Sequence, residues 1–339
     1  MELKERLELI KINTQEIVTE EDLKKLLKKK KKPVAYIGIA PTGPFHIGYL
    51  LQFTKLWQLQ QAGVKCIVLL ADIHASLDEL KAPWKKAKLL ADYTGQCVKL
   101  ALPWKEEPEI VRGSSFEFDR KYVEDTLRLS SMITIKRATR AAREVCRMAK
   151  PRVSELLYPI MQSIDQEALD VDISLAGIEN RHAYMLGREY LKKLGYKSRV
   201  EIYTPLITGL KGPGVKMSSS KPETLIRVHD PEDKIKRRIS GAYCPLGEIR
   251  DNPLLQICKY ILFKDKKSTI TVKRPKKYGG DVHFYSYEDL ENTFKEGKLH
   301  PTDLKNTVAD ELVSMLKPVR DYFSKNKSIL KKLGPNFYS

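Results

Sequence analysis

The chain has few of the residues that staple a protein or anchor it in a membrane. Its five Cys (Cys66, Cys97, Cys146, Cys244 and Cys258) are odd in number, scattered and free of any CxxC pair. That pattern argues against a disulfide framework and against a zinc site, and it fits a reducing cytoplasm. Long apolar runs are also missing. Near the first glycine-containing turn the longest is Cys66 to Ala71, far short of the roughly 20 residues of a membrane span. The first residues are charged, so no secretory leader is expected. Internal repeats are absent. Acidic residues are the minority, with 43 Asp+Glu against 61 Lys+Arg and a net charge of +18. Such an excess favours a polyanionic partner through long-range attraction and counterion release. Lysine-rich surfaces also serve solubility and heat stability, so charge alone leaves nucleic acid an open question. At 339 residues the chain is long enough for two domains.

What is present is organised around Pro41-Thr42-Gly43-Pro-Phe-His46-Ile-Gly48-Tyr49. Val34 to Ile39 reads as a buried strand that Pro41-Thr42-Gly43 breaks. Leu50, Leu51, Phe53, Leu56 and Trp57 recur at helical spacing. Gly48 therefore opens a helix whose free N–H groups and positive dipole end can receive a phosphate. Taken alone, His46 is more simply read as a capping or packing residue.

Met1 to Lys32 reads as two short helices, with Thr19-Glu-Glu-Asp22 starting the second and Lys28 to Lys32 as a solvated run. This makes residues 1–33 a charged leader outside the core. From Val34 strand and helix alternate: a helix over about 46–62, a strand from Val64 to Asp72, a helix from about Pro83 to Leu102, and a strand from Glu109 to Gly113. The succession predicts an α/β fold, a Rossmann-type parallel sheet with ligands at the carboxyl ends of its strands. Asp72 and His74 fall just past such an end. Tyr122 to Met148 then reads as largely helical, an insertion over about 113–150. Lys136, Arg140, Arg143, Arg147 and Lys150 follow spacings of four and three residues and so share one helix face. Like charges stacked this way repel, which favours a phosphate-binding stripe over a solvated face. The next helix, Val153 to Leu169, aligns Tyr158, Gln162 and Asp165. A carboxylate on a mainly apolar face needs a partner, so this trio reads as a polar pocket wall, with a solvent-facing side as the alternative. Val171 to Gly177 and Ser198 to Tyr203 read as strands, separated by a helix from Asn180 that carries Arg181 and His182 near its start. Residues 209–221 form a second loop of glycines, lysines and Ser218-Ser219-Ser220, rich in phosphate donors. Pro231 to Ala242, Asn252 to Phe263 and Thr307 to Tyr322 read as helices. They make residues 229–339 a mostly helical C-terminal domain behind a catalytic domain over 34–228.

The pairing of His46-Ile-Gly48-Tyr49 with Lys216-Met217-Ser218-Ser219-Ser220 resembles the two signature motifs of class I aminoacyl-tRNA synthetases. Further stretches resemble the tyrosyl-tRNA synthetases of archaeal and eukaryotic cytosolic type: Tyr36-Ile-Gly, Leu70-Ala-Asp-Ile-His74, Tyr158-Pro-Ile-Met-Gln162, Asp165, Ala242-Tyr-Cys244-Pro and Leu299-His300-Pro-Thr-Asp303-Leu-Lys-Asn306. The resemblance runs from about Ile10 to Phe323. It implies activation of tyrosine by ATP, with Mg2+ accompanying the nucleotide and no dedicated protein metal site, followed by transfer to tRNA(Tyr). It implies His46, Gly48, Lys216 and Ser219 as catalytic residues. Pro41, Thr42, Gly43, Tyr49, Met217, Ser218 and Ser220 would join them around ATP. Tyr36 and Asp165 would read the phenolic hydroxyl, Tyr158, Gln162 and Asn180 the α-amino group, and His74 would complete the tyrosine pocket. Lys136, Arg140, Arg143 and Arg181 would meet the acceptor end of the tRNA. Tyr278, His300 and Asp303 would form an anticodon pocket in the C-terminal domain. A homodimer, with its contact on the helical insertion, is implied as well.

The chain departs from that pattern in places. Tyr49 stands where the class motif has a second His, Ser219 replaces a second lysine, Glu117 stands where Gln is expected near the ring, and Asn180 where a longer Gln is expected. A tryptophanyl-tRNA synthetase is the nearest rival, and a non-catalytic tRNA-binding paralogue is the rival from another class. Apart from the resemblance, the residues describe a basic α/β nucleotide-binding protein with an RNA partner.

Overall fold

The computed structural model describes residues 1–78, 82–143, 146, 152–218 and 221–338. Its first segment is not the peripheral leader that its charge suggested. Helices α1 (Leu3–Lys11) and α2 (Glu20–Lys29) flank a short strand, β1 (Glu16–Val18), and bury Ile10, Leu23 and Leu27 in the main core. Leu23 and Leu27 are four residues apart and so share one face of α2, while acids fill its first turn and lysines its last. Thr19 starts this helix as expected, its hydroxyl accepting from Asp22 N at 3.1 Å.

Strand β2 (Val34–Ile39), helix α3 (Ile47–Gln61), strand β3 (Lys65–Leu70), helices α4 (Asp72–Leu77) and α5 (Trp84–Ala101) and strand β4 (Glu109–Arg112) follow. Only α4 was not anticipated by the alternation. Helices α6 (Arg120–Met132), α7 (Ile135–Ala142) and α8 (Val153–Ala168) then precede β5 (Ile173–Gly177), α9 (Arg181–Tyr190) and β6 (Val200–Thr204). The strand order is β1-β6-β5-β2-β3-β4. β1 runs antiparallel to β6, and the other pairings are parallel. From β2 the chain moves to β3 on one side and later to β5 on the other. The crevice between β2 and β5 is therefore the topological switch point, where such sheets bind ligands. Period-two alternation divides the faces of β2. Ala35, Ile37 and Ile39 join the core shared with α3 and α5, while Tyr36 joins Ile67, Leu69, Ala176 and Tyr203 on the opposite face.

The basic stripe is described only in part. α7 ends at Ala142, so Lys136 and Arg140 share its face and Arg143 falls at its C-cap. Arg147 and Lys150 lie outside the described residues.

Beyond β6 come α10 (Glu232–Ser240), α11 (Pro253–Ile257), the hairpin of β7 (Ile270–Val272) and β8 (Val282–Phe284), α12 (Tyr287–Lys295), α13 (Pro301–Met315), α14 (Lys317–Lys325) and α15 (Lys327–Leu333). Two expected helices are broken. α11 passes into a π-helical turn over Cys258–Leu262. The helix expected from Thr307 to Tyr322 is two, because Pro318 in the first turn of α14 has no N–H to continue α13.

One apolar cluster runs from Ile10 through Phe53 and Leu254 to Phe337. Within it Lys55 is 1% exposed. Its Nζ donates to Ile12 O at 2.5 Å and to Gln58 Oε1 at 3.1 Å, satisfying the carbonyl at the end of α1. Burial pushes its pKa down to about 7. Lys55→Ala removes that donor and opens a cavity, so a denaturant titration should show a loss of about 2–4 kcal/mol. Lys55→Met, which refills the volume, should recover part of it, and an unchanged midpoint in the alanine variant would show that the contact is dispensable.

Candidate active site

The first loop is held from two sides. His46 is the N-cap of α3, and its Nδ1 accepts from Gly48 N at 3.2 Å. A neutral ring that accepts at Nδ1 carries its hydrogen on Nε2. Burial pushes the His46 pKa down to about 3, so the ring stays neutral at physiological pH. Tyr49 packs against it with ring centroids 4.3 Å apart. On the other side, Ile47 N donates to Ile226 O at 2.9 Å and Val228 N donates to Phe45 O at 3.1 Å. His46 thus faces Arg227 across an antiparallel bridge.

The second loop comes to the same place. Gly209 N donates to Val215 O at 2.6 Å, and Thr208 bridges Lys216, so this stretch closes as a tight hairpin. Gly48 is where the two loops meet: a β-carbon there would lie 2.9 Å from the His46 ring and 3.3 Å from Met217 Cβ. Lys216 is exposed on the hairpin and Ser218 is half-buried, its N–H donating to Thr224 Oγ1 at 3.3 Å. Ser219 and Ser220 lie outside the described residues. Pro41 is buried, with Thr42 and Gly43 half-exposed on the approach to His46.

A narrow cleft opens at the switch point. All six residues assigned to the amino-acid pocket line it: Tyr36 from β2, His74 from α4, Tyr158, Gln162 and Asp165 from α8, and Asn180 at the start of α9. The spacing of four and three residues along α8 does put its trio on one wall. The Tyr36 hydroxyl and Gln162 Oε1 are buried there without a well-aligned hydrogen-bond partner, which suits a polar ligand. Asn180 Nδ2 donates to Glu179 Oε1 at 3.3 Å.

Beside the cleft lies a charged cluster that sequence spacing did not announce. His74 Nδ1 is 3.4 Å from Glu117 Oε1, and His74 Nε2 is 3.6 Å from Asp165 Oδ2. Tyr122 donates its hydroxyl hydrogen toward Asp165 Oδ1 at 2.7 Å. Burial opposes charge on His74, yet the Glu117 and Asp165 carboxylates hold its pKa up at about 9. Burial pushes Asp165 up to about 7, with His74 opposing, Glu117 reinforcing, and the Tyr122 hydrogen bond opposing. These three side chains have the separation of a metal-ligand set. Each carboxylate takes a different ring nitrogen, however, so the arrangement is an imidazolium clamped between two acids. Glu117, a departure from the expected Gln, is one of the two groups that keep His74 charged. Tyr122 and Glu117 come from a loop and a helix with no shared period, so pattern could not pair them with His74. Tyr184 also lines the cleft four residues after Asn180, and helical spacing would have found it. Gln52 approaches from α3: a β-carbon on Gly177 would sit 2.6 Å from its Nε2.

The nucleic-acid candidates fall in two regions. Lys136, Arg140 and Arg143 are exposed along and just past α7, while Arg137 between them is tied to Glu189 at 2.8 Å. Arg181 is held by Glu16 in a two-pronged pair at 2.7 and 2.8 Å. In the C-terminal part Tyr278 is 62% exposed, with Lys277 Nζ 4.8 Å over its ring. His300 caps α13, its Nδ1 accepting from Thr302 N at 3.2 Å, and Asp303 lies in the first turn. Arg274 ties the two segments together, its Nε donating to Gly280 O at 3.0 Å and its Nη1 to Lys298 O at 3.1 Å.

Comparison with known proteins gives one consistent result. The family model of tRNA synthetases class I (W and Y) matches residues 28–317. The tyrosine–tRNA ligase of Methanosarcina mazei is 44% identical over 318 residues, 93% of this chain and 98% of that relative. The Methanopyrus kandleri tyrosine–tRNA ligase is 43% identical over 321 residues, 94% of this chain and 98% of its own length. The crystal structure of tyrosyl-tRNA synthetase complexed with L-tyrosine from Archaeoglobus fulgidus has a TM-score of 0.90 and 42% identity, covering 94% of this chain and 99% of that one. With a cleft at the switch point and two phosphate-type loops meeting above it, the chain belongs to the class I tRNA synthetases and, within them, to the tyrosine–tRNA ligase family.

Proposed function

We propose that this chain activates L-tyrosine with ATP to form tyrosyl-adenylate and then transfers the tyrosyl group to the 3′ end of tRNA(Tyr). The observation that supports the reading is the close approach of Gly48 to Met217, which brings the two loops together. The tyrosine carboxylate attacks the α-phosphorus in line, the bond from that phosphorus to the bridging oxygen breaks, and pyrophosphate leaves. No protein nucleophile is needed, so the chain's part is positioning and charge stabilisation. Neutral His46 donates from Nε2 to a phosphate oxygen. Gly48 leaves room for the adenosine, and Tyr49 supports the His46 ring. The turn at Pro41, Thr42 and Gly43 approaches the nucleotide, and Lys216 with Ser218, Ser219 and Ser220 closes on the leaving pyrophosphate. Magnesium enters with the nucleotide. Among the described residues the grouping with metal-ligand separation is the buried His74 cluster, whose side chains are charge-paired with one another.

Tyr36 and Asp165 receive the phenolic hydroxyl, and Tyr158, Gln162 and Asn180 take the α-amino group. The imidazolium of His74 favours the ionised form of Asp165, which makes it an acceptor for that hydroxyl. Phenylalanine would leave these buried polar groups unpaired, a penalty on the order of 10⁴-fold in selectivity. The family model spans tryptophan enzymes too, but an indole offers a single N–H donor and cannot serve the Tyr36 and Asp165 pair in the same way. A tRNA-binding paralogue without catalysis would tolerate decay of the phosphate motifs, whereas His46, Gly48, Lys216 and Ser219 all stand.

Lys136, Arg140, Arg143 and Arg181 face the acceptor end of the tRNA in this reading. Tyr278 stacks on an anticodon base while His300 and Asp303 address its edge. A homodimer is supported by the insertion, which exposes Phe118, Leu127 and Ile135 at 64%, 64% and 76%. Five buried cysteines outside any disulfide favour a reducing cytosol. No helix among the described residues is long and apolar enough to cross a membrane.

ATP–pyrophosphate exchange that depends on tyrosine, followed by charging of a tRNA(Tyr) transcript, tests the reading, and exchange with tryptophan alone would replace it. Gly48→Ala should cut the exchange rate by about 100-fold or more, since the new methyl meets both His46 and Met217, while equilibrium dialysis finds tyrosine affinity within about threefold of wild type. Glu117→Gln tests the charged cluster. The folded pKa of His74, about 9, lies above its ordinary 6.5, so the stability it contributes is complete below pH 6.5 and is lost as pH rises through 9. Removing the Glu117 carboxylate lowers that folded value. Thermal melts should therefore show the variant losing this contribution at lower pH than wild type, and superimposable pH profiles would rule the cluster out.

A further inference from the structure

The segment after α14 reaches the back of the first loop. Helix α15 and the turn Pro335–Phe337 lie past residue 317, where the family match ends. Two alternate residues of the stretch paired with the first loop bind the backbone of this turn. Arg227 Nη1 donates to Asn336 O at 2.6 Å, and His229 Nε2 meets Phe337 O at 2.8 Å. His229 Nδ1 faces the Tyr93 hydroxyl at 3.0 Å, and Phe45 N donates to that same hydroxyl at 3.0 Å. The direction of each bond follows from the chemistry. A carbonyl only accepts, so Nε2 carries the hydrogen. Nδ1 of the neutral ring accepts from Tyr93 O–H, and the Tyr93 oxygen accepts from Phe45 N–H. Burial pushes the His229 pKa down to about 4, which keeps the ring neutral and the order intact. Phe337 packs edge-on against Tyr93, with centroids 5.1 Å apart at 89°, and Phe323 lies 5.2 Å from the same ring. Arg227 is buried and fixed by Asp230 at 2.7 Å. An unbroken chain of hydrogen bonds thus joins Phe337 C=O to the amide that precedes His46.

We propose that the turn Pro335–Phe337 clamps the first phosphate loop, and that His229 and Tyr93 are positioning residues that set where His46 sits during activation. The inference rests on the tyrosine-activation reading. Tyr93, His229 and Phe337 do not line the amino-acid cleft. Their loss should therefore fall on the nucleotide step and spare tyrosine binding.

The test measures tyrosine-dependent ATP–pyrophosphate exchange and tyrosine binding on the full chain and four variants: Tyr93→Phe, His229→Ala, His229→Gln and a chain stopped after Asn326. Tyr93→Phe keeps the ring and loses the hydroxyl. It should lower kcat about tenfold and raise KM for ATP, with tyrosine Kd within about twofold. His229→Ala should match it. His229→Gln, whose amide can donate to Phe337 O and accept from Tyr93, should recover at least half of the loss. The stopped chain should lose at least as much as Tyr93→Phe, and where circular dichroism shows that it does not fold, the point variants decide. Wild-type kcat and KM for ATP in Tyr93→Phe would overturn the clamp. So would a loss of tyrosine affinity as large as the loss of exchange. A wild-type chain inert with tyrosine would instead refute the activation reading, a separate result.

Discussion

Two backbone hydrogen bonds, from Ile47 N to Ile226 O and from Val228 N to Phe45 O, hold the first loop against the stretch that leaves the second. The parallel sheet cannot do this by itself. It delivers the end of β2 to the switch point, but the second loop follows β6, two strands away in the sheet order. A main-chain bridge closes that distance in a way independent of side-chain identity. It also explains why a residue without a β-carbon is needed at position 48. Once the loops are pinned together, the His46 ring and Met217 crowd the same few ångströms. The meeting of the two loops is thus a consequence of a long-range pairing, and the cleft at the switch point is a consequence of strand order.

Three imidazoles show how burial and neighbours divide the work. His46 and His229 are held down, to about 3 and about 4, because burial penalises their charge and no carboxylate overcomes it. His74 is at least as buried but lies between Glu117 and Asp165, and it is held up at about 9. At the phosphate loop a neutral donor with a fixed tautomer gives direction without the cost of an uncompensated buried charge. In the cleft the charge is compensated on both sides, and it favours the ionised form of Asp165. The same side chain is therefore a directional donor at one end of the site and an electrostatic counterweight at the other.

What the sequence made legible was whatever depends on period and punctuation. The buried strand from Val34 to Ile39, the helix after Gly48 and the aligned Tyr158, Gln162 and Asp165 all follow from spacings of two, three and four residues. The structure places them as read. What stayed hidden depends on tertiary contact. The N-terminal segment looked solvated because of its charged residues and its closing lysine run, yet Leu23 and Leu27 help fix α2 on the core, and a strand of only three residues joins the sheet through β6. Glu117 was legible as a departure but not as a partner of His74, since no local rule connects a loop carboxylate to an imidazole in a different element. The basic stripe was legible as charge, and its described part, Lys136 and Arg140, does share a face of α7.

Net charge shows the same limit from another side. An excess of +18 is a property of composition, whereas attraction of a phosphate backbone depends on which cations the fold leaves uncommitted. Arg188 is bound by Asp22 at 3.0 Å and Glu201 at 2.9 Å, and Arg137 by Glu189. Even the lysine run before β2 is partly spent inside the molecule: Lys30 pairs with Asp172 at 2.7 Å, and the same carboxylate accepts from Val34 N at 2.8 Å, so this pair helps set where the central strand begins. Lys136 and Arg140 differ, exposed on one face of α7 with no carboxylate within salt-bridge distance among the described residues. They keep their counterions in the free protein and can release them to a polyanion, which a lysine already bound to an aspartate cannot do without breaking that bond. The fold therefore leaves Lys136 and Arg140 as uncommitted cations along a short helix, and such cations, rather than the total charge, are what a polyanion can engage.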